Sequence, residues 1–211
     1  RTDTKEYAMV IDEKFKGKNG IQTIALIGLG GAGKTTLARQ YAHLQKANVI
    51  WEINAETQES LSSSFESLAQ ALAKTEEDKK ILMQIRNLQI PSEKEDKIIL
   101  FVKEPLWKKA HWFLVFDIVD SFLDIQKYFP HDAETWGQGK IILTTRDSTL
   151  QSNKSVNNAI QIGELTPQQK LVLFTKVIKQ GNENIPKIHQ VEETKKFLEK
   201  IPPYPLDVSV A

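Results

Sequence analysis

The chain of 211 residues has no cysteine, no long hydrophobic run and no excess of charge of either sign. Without cysteine it forms no disulfide, thiol nucleophile or thiolate metal site, which is compatible with the reducing cytoplasm where we expect it to reside. No apolar run approaches the ~18 residues of a membrane span, and no signal peptide opens the chain. The 28 Lys and Arg against 27 Asp and Glu leave no basic footprint. We therefore expect binding to neither nucleic acid nor membranes.

One glycine-rich stretch organises what is present. Residues 24–36 read IALIGLGGAGKTT, which predicts an apolar strand, a glycine turn and the start of an amphipathic helix. The stretch contains the P-loop pattern G-x-x-x-x-G-K-T, from Gly28 to Thr35. We predict that the loop N–H groups bind phosphates, that Lys34 reaches the outer phosphates and that Thr35 ligates Mg²⁺. The predicted nucleotide-binding residues of this stretch are Gly28, Leu29, Gly30, Gly31, Ala32, Gly33, Lys34, Thr35 and Thr36.

The same glycines also permit a dinucleotide-binding interpretation. Gly28, Gly30 and Gly33 spell G-x-G-x-x-G, and Glu52 ends the next predicted strand about where a ribose-binding acid would lie. That interpretation explains neither a lysine followed by two threonines at the helix start nor an aspartate that closes a later apolar strand. The mononucleotide P-loop is therefore favoured, and Glu52 is interpreted as an ordinary strand-end residue.

A second stretch predicts the acid that completes such a site. The sequence HWFLVFDIVD at 111–120 is typical of a buried parallel strand running into Asp117. Because ligands bind at the carboxyl ends of parallel strands, Asp117 should emerge beside the P-loop and help Thr35 to hold Mg²⁺. The next residue is Ile118, where many hydrolytic P-loop ATPases carry a second acid. Asp120 would replace that acid only if the turn redirects it.

A further predicted strand, KIILTT at 140–145, runs into Arg146 and Asp147. The hydroxyls of Thr144 and Thr145 and the guanidinium of Arg146 suit sensing of the outermost phosphate, since a planar fork matches an oxyanion. A plain surface ion pair between Arg146 and Asp147 explains the same residues. The spacing does not choose between the two interpretations.

Two helices are predicted directly before the strand that runs into Asp117. They cover 79–88 and 92–107, and the second has the spacing of a capping box from Ser92 to Glu95. Pro105 should end or kink that helix.

The alternation of strands and amphipathic helices predicts an α/β fold, a three-layer P-loop NTPase core with a mostly parallel sheet at 21–163. A small helical subdomain, truncated at its C-terminal end, follows at 164–211 and opens with a capped helix at Thr166. Residues 1–20 form a polar leader, favoured as a surface segment and otherwise placed to cover the nucleotide. Since the first residue is Arg1, we expect a piece of a longer protein.

Taken in order, these motifs resemble the nucleotide-binding core of the STAND class of P-loop ATPases, in its NB-ARC branch. The resemblance covers most of the chain. The segments on which the resemblance rests are GLGGAGKTTLA at 28–38, VIWEINAE at 49–56, FLVFD at 113–117, GKIILTTRD at 139–147, IGELTPQQKLVLF at 162–174 and PYPL at 203–206.

The resemblance implies ATP or ADP with Mg²⁺ as ligands. It makes Arg146 a phosphate sensor and brings Pro205 onto the adenine, and phosphate chemistry would rest on Lys34, Asp117 and Arg146. The chain departs from the family at Ile118, which replaces the second acid and implies slow hydrolysis. It also departs in IPPYPL, where the family usually has glycine-leucine-proline-leucine.

The family further implies a regulatory switch. ADP would clamp the P-loop core against the helical module, and exchange for ATP would open it for self-association. The sensor and effector regions would lie outside these residues. Two alternatives remain open: a catalytic ATPase or kinase acting on a separate substrate, and a non-hydrolysing scaffold stabilised by nucleotide. A GTPase is disfavoured because no N-K-x-D or D-x-x-G pattern follows the P-loop in the expected places.

Overall fold

The computed structural model describes residues 2–17, 19–181 and 189–210. The strands are β1 (Ile21–Ile27), β2 (Val49–Asn54), β3 (Trp112–Asp117), β4 (Gly139–Thr145) and β5 (Asn158–Gln161). The helices are α1 (Thr2–Lys14), α2 (Lys34–His43), α3 (Gln58–Leu72), α4 (Glu76–Arg86), α5 (Pro91–Lys109), α6 (Phe122–Ile125), α7 (Ala133–Trp136), α8 (Pro167–Gly181), α9 (His189–Glu199) and α10 (Pro205–Val210).

The strands form one parallel sheet in the order β2-β3-β4-β1-β5. Successive side chains of a strand point to opposite faces, so each face has its own core. In β3, Phe113 and Val115 pack with α1 and α2, whereas Leu114 and Phe116 pack with α3 and α5. The predicted three-layer α/β fold is confirmed. Because β4 lies between β1 and β3, the carboxyl ends of these three strands meet at one edge.

The N-terminal leader is part of the core. Helix α1 packs on α2, and Ile11 and Phe15 are buried. The Tyr41 hydroxyl of α2 donates a hydrogen bond to Asp12 Oδ1 at 2.6 Å. The interpretation of this segment as a surface leader is therefore wrong, because two apolar residues four positions apart form a single buried stripe on one helix face.

Helices α4 and α5 begin differently from the prediction. Helix α4 starts three residues early, behind a capping box formed by Thr75 and Asp78. Helix α5 starts at Pro91 after Ile90, which has no side chain able to cap it, so the predicted capping box at Ser92 is wrong. Proline is favoured in the first helical turn because its missing N–H has no partner there anyway.

Of the two outcomes predicted for Pro105, an end or a kink of the helix, the first is wrong. Helix α5 continues to Lys109. Proline removes one backbone hydrogen bond of the helix. The following turn nevertheless buries Leu106 completely, as the preceding turn buries Val102. Packing of these side chains outweighs the local preference of the proline.

In the described residues after β5, the helices α8, α9 and α10 follow one another. Thr166 N–H donates to Gln169 Oε1 at 2.7 Å, and Thr166 Oγ1 accepts from Gln169 N–H at 3.3 Å, so the predicted capping box is confirmed. The Lys170 ammonium donates to the carbonyls of Leu198 and Ile201. This contact joins α8 to the end of α9. The sequence predicts α9 over roughly residues 187–201, and residues 187–188 lie outside the described residues. Among the described residues, no helix is both long and apolar enough to cross a bilayer.

Gly139, the first residue of β4, lies against the indole ring of Trp112. A Cβ added at Gly139 would overlap that ring, which is held by a hydrogen bond of 2.8 Å from its N–H to the Trp136 carbonyl. We expect Gly139→Ala to lower the free energy of unfolding by about 2–3 kcal/mol, because the buried ring has no room to move. Urea denaturation measures the loss. Gly163→Ala, where an added Cβ meets nothing within 4 Å, is the control, and an equal loss there would contradict the explanation.

Candidate nucleotide-binding site

The P-loop lies between β1 and α2, and the structure explains why several of its positions require glycine. Gly31 and Gly33 adopt φ of 77° and 89°, in the left-handed region that glycine tolerates best. A Cβ on Gly28 would lie 2.6 Å from the Ile162 carbonyl oxygen, so only glycine fits beside the end of β5. Gly33 is the N-cap of α2 and has no side chain to cap the helix. The first N–H groups of α2 are therefore available to an anion.

Lys34 is buried, and its ammonium is bound to the backbone of the P-loop. Nζ donates to the carbonyl oxygens of Gly28 and Leu29, each at 2.8 Å. Burial is the main cause that lowers the pKa of Lys34; nearby Arg146 lowers it further, and Asp117 partly opposes the shift. An ammonium has three N–H donors, of which two are used here. The third is available to an anion inside the loop.

Asp117 ends β3 next to the P-loop helix, and it is buried. Its Oδ1 accepts hydrogen bonds from the hydroxyls of Thr35, at 2.8 Å, and of Thr144, at 2.5 Å. The structure thus brings together the two residues predicted to hold Mg²⁺. A hydroxyl and a carboxylate are oxygen ligands of the kind this hard cation prefers, so the residues present fit the metal.

The residue after Asp117 has an unusual backbone conformation. Ile118 has φ of 60°, which costs a β-branched residue about 1–2 kcal/mol. Its N–H donates to Thr144 Oγ1 at 2.9 Å, and the same hydroxyl donates to Asp117. The turn buries Val119 and leaves Asp120 at the surface. An apolar side chain therefore occupies the position of the second acid.

The threonines that end β4 have structural partners. Thr144 binds Asp117, and Thr145 Oγ1 accepts from the Asp147 N–H at 2.9 Å. Both are buried, so their hydroxyls orient the strand ends, which the sequence did not anticipate. Asp147 in turn accepts from the N–H and hydroxyl of Thr149, at 2.8 and 2.7 Å, and begins a short 3-10 helix at Ser148–Ser152.

Arg146 is exposed and lies beside the P-loop. A Cβ added at Gly30 would be 3.7 Å from its guanidinium carbon. Within the described part of the chain no ion pair joins Arg146 to Asp147, so the surface-pair interpretation is wrong. The guanidinium is free of that carboxylate and faces the loop predicted to bind phosphate.

The last described helix touches the P-loop directly. The Leu206 N–H donates to the Gly31 carbonyl at 3.3 Å. A Cβ on Gly31 would lie 3.0 Å from Leu206 Cβ, and one on Gly33 would lie 3.4 Å from Pro205 Cγ. The predicted Pro205 therefore lies beside the loop, and its contact with adenine stays a prediction. The contact of the neighbouring Leu206 with the loop was not predicted, because nothing in the sequence distinguishes this leucine from other exposed apolar residues.

Glu52 lies inside β2, two residues before its end at Asn54. Both of its carboxylate oxygens accept from the Arg39 guanidinium of α2, at 2.7 and 2.6 Å. The dinucleotide interpretation thus loses its ribose-binding acid, and the partner of Glu52 was not anticipated from the sequence.

An apolar groove lies away from this site. It measures about 670 Å³ and runs between α4 and α5, where Ile81, Ile85, Leu100 and Phe101 contribute to its lining. No P-loop residue lines it. Its size carries no information about phosphate binding, which depends on backbone N–H groups at a helix N-terminus.

The fold and the loop together define a nucleotide-binding P-loop NTPase module. The NB-ARC domain model matches residues 4–184. The chain therefore belongs to the NB-ARC family, and the resemblance found in the sequence is confirmed. No curated protein matches the chain.

Two solved structures share this fold. A Signal Transduction ATPase with Numerous Domains (STAND) protein with a tetratricopeptide repeat sensor, from Pyrococcus horikoshii, has a TM-score of 0.51 and 18% identity. The FIGL-1 AAA domain in complex with ADP has a TM-score of 0.50 and 15% identity. The matches cover 92% and 89% of this chain but only 27% and 57% of the respective relatives. At these identities the likeness shows the fold alone.

Proposed function

We propose that this module is an adenine-nucleotide switch, in which the nucleotide joins the α/β core to the helical module formed by α8, α9 and α10. The observation that carries the proposal is the contact of Pro205 and Leu206 with Gly33 and Gly31. A ligand that orders the P-loop glycines therefore acts on the surface that holds the helical module. Its binding energy can bias the arrangement of the two parts.

The site residues have distinct roles in this proposal. Lys34 and the N-terminus of α2 bind phosphate oxygens, Arg146 senses the outermost phosphate and Pro205 packs on adenine. Thr35 and Asp117 would hold Mg²⁺, which when bound neutralises charge between neighbouring phosphate oxygens. Thr144 fixes the Asp117 carboxylate from the other side.

The geometry after β3 supports slow hydrolysis. The side chain after Asp117 is that of Ile118, and it offers no base to polarise water. Asp120 lies at the surface beyond buried Val119. In the proposed cycle the ADP state keeps the helical module against the core, and exchange for ATP opens it for self-association. Sensor and effector regions elsewhere in a longer protein would use that change.

Calorimetry with ADP, ATP and GDP, each with and without Mg²⁺, tests the proposal. We expect ADP and ATP to bind and GDP to bind more weakly, and we expect turnover below about 1 s⁻¹. Failure to bind any adenine nucleotide would refute the proposal. Fast turnover would favour the catalytic alternative, and ADP binding that leaves the dimensions of the protein in X-ray scattering equal to those with ATP would favour the scaffold.

Arg146→Ala tests phosphate sensing within the same titrations. We expect it to weaken ATP binding about tenfold while ADP affinity changes by less than about twofold, because one charge-assisted hydrogen bond to the outermost phosphate is lost. Arg86→Ala on α4, where the arginine donates to Gln70 far from the loop, is the matched control. Equal losses for the two nucleotides would argue against sensing.

A further inference from the structure

Arg39 lies between two carboxylates at the edge of the site. It projects from α2, the helix that follows the P-loop, toward β2 and β3. Nε and Nη2 donate to Glu52 at 2.7 and 2.6 Å. Nη2 is also 3.9 Å from Asp117 Oδ2. One guanidinium therefore faces both an acid without a role so far and the acid predicted to hold the metal.

The two oxygens of Asp117 have different surroundings. Oδ1 accepts from Thr35 and Thr144, whereas Oδ2 faces Arg39 beyond hydrogen-bond distance. The Asp117 side chain is 5% exposed and that of Arg39 is 54% exposed. A buried carboxylate attracts a positive charge more strongly than an exposed one. If the Arg39 guanidinium were not bound to Glu52, we would therefore expect it to move toward Asp117 Oδ2.

We propose that Glu52 is a positioning residue that restrains Arg39 and thereby keeps Asp117 Oδ2 open to a divalent cation. Two parallel hydrogen bonds to one carboxylate are the strong geometry for arginine, and they fix the guanidinium plane. Arg39 and a cation compete for Oδ2. By binding Arg39, Glu52 favours the cation. The inference rests on the proposed function, since the cation is the Mg²⁺ that accompanies the nucleotide.

The test is the Mg²⁺ dependence of equilibrium binding of a fluorescent ADP analogue to the wild-type protein, Arg39→Gln, Glu52→Gln and the double variant. Glu52→Gln keeps the shape of the side chain but weakens its hold on Arg39. We expect the half-saturating Mg²⁺ concentration to rise about three- to tenfold in Glu52→Gln and to fall by a similar factor in Arg39→Gln. Nucleotide affinity in EDTA should agree within about twofold in all four proteins.

The double variant separates the proposal from simpler explanations. If Glu52 acts through Arg39, the double variant behaves as Arg39→Gln does. If Glu52 attracts Mg²⁺ directly through space, its removal still weakens Mg²⁺ binding when Arg39 is absent. If the ion pair only ties α2 to β2, both single variants shift the Mg²⁺ dependence in the same direction. Either of the last two results overturns the proposal.

Thermal unfolding of the four proteins without nucleotide shows whether each is folded. Should Glu52→Gln not fold, Arg39→Lys replaces it, because a lysine cannot form the parallel pair with Glu52 and is free to reach Asp117. We then expect Arg39→Lys to raise the half-saturating Mg²⁺ concentration while Arg39→Gln lowers it, and equal shifts would contradict the proposal. Loss of ADP binding by the wild-type protein would instead refute the proposed function, so the two failures are distinguishable.

Discussion

Lys34→Ala is expected to weaken ADP binding about 100-fold or more, because it removes a buried cation from the proposed phosphate site. The ammonium is bound to the loop by two hydrogen bonds of 2.8 Å, so its position is set before a ligand arrives. Burial and Arg146 together lower its pKa, which means that the charge is held against an unfavourable environment. A bound phosphate would offset the cost of burying this charge. An alanine side chain provides neither a positive charge nor a hydrogen-bond donor for the phosphate.

Stability measurements separate this effect from damage to the fold. Without ligand, the variant loses two hydrogen bonds but also a desolvated charge, so we expect the free energy of unfolding to change by about 1 kcal/mol or less. With ADP at a hundred times its dissociation constant, the wild-type protein gains about 2.7 kcal/mol and the variant gains almost nothing. Calorimetry and thermal unfolding with ADP measure both quantities.

Lys79→Ala provides the matched control for Lys34→Ala. Lys79 lies on α4 with an exposed side chain paired to Glu76, so its removal should leave ADP binding unchanged. If Lys34→Ala also bound ADP with wild-type affinity, the loop would not be the phosphate site, and the assignment of the whole module would fail.

The parts of the site that could be predicted from the sequence are those set by neighbouring residues. Strand, glycine turn and helix follow one another around Lys34, so the chain order alone places phosphate-binding groups together. Asp117 was also predictable, because a fully apolar strand in an α/β fold must be parallel and must end at the ligand edge. The capped helix at Thr166 is a further local signal.

The parts that could not be predicted depend on which distant strands become neighbours. Thr144 reaches Asp117 only because β4 lies between β1 and β3. Arg39 reaches Glu52 because α2 packs over β2. No spacing in the sequence predicts either contact. Threonine, arginine and glutamate are also common on protein surfaces, so their presence alone does not indicate a contact. The same holds for Leu206, whose contact with Gly31 requires the helical module to fold back over the loop.

Gly31→Ala is expected to speed the release of ADP about five- to tenfold by pushing the helical module away from the loop. The added Cβ would lie 3.0 Å from Leu206 Cβ, closer than two such atoms normally pack. Leu206 is held to Gly31 by a single long hydrogen bond of 3.3 Å, so the short helix α10 yields more readily than the P-loop. In the proposed switch, the nucleotide then loses one of the two surfaces that enclose it. Stopped-flow displacement of a fluorescent ADP analogue measures the rate.

Two further variants distinguish this contact from backbone strain in the loop. Gly17→Ala has nearly the same φ, 78° against 77° for Gly31, but an added Cβ there meets nothing within 4 Å. It should lose similar stability and release ADP at the wild-type rate. Leu206→Gly removes the side-chain contact from the other side, keeps the backbone hydrogen bond and leaves the loop intact, so it should speed release as Gly31→Ala does. If only Gly31→Ala were fast, the effect would arise from strain in the loop, and the contact between the two modules would not retain the nucleotide.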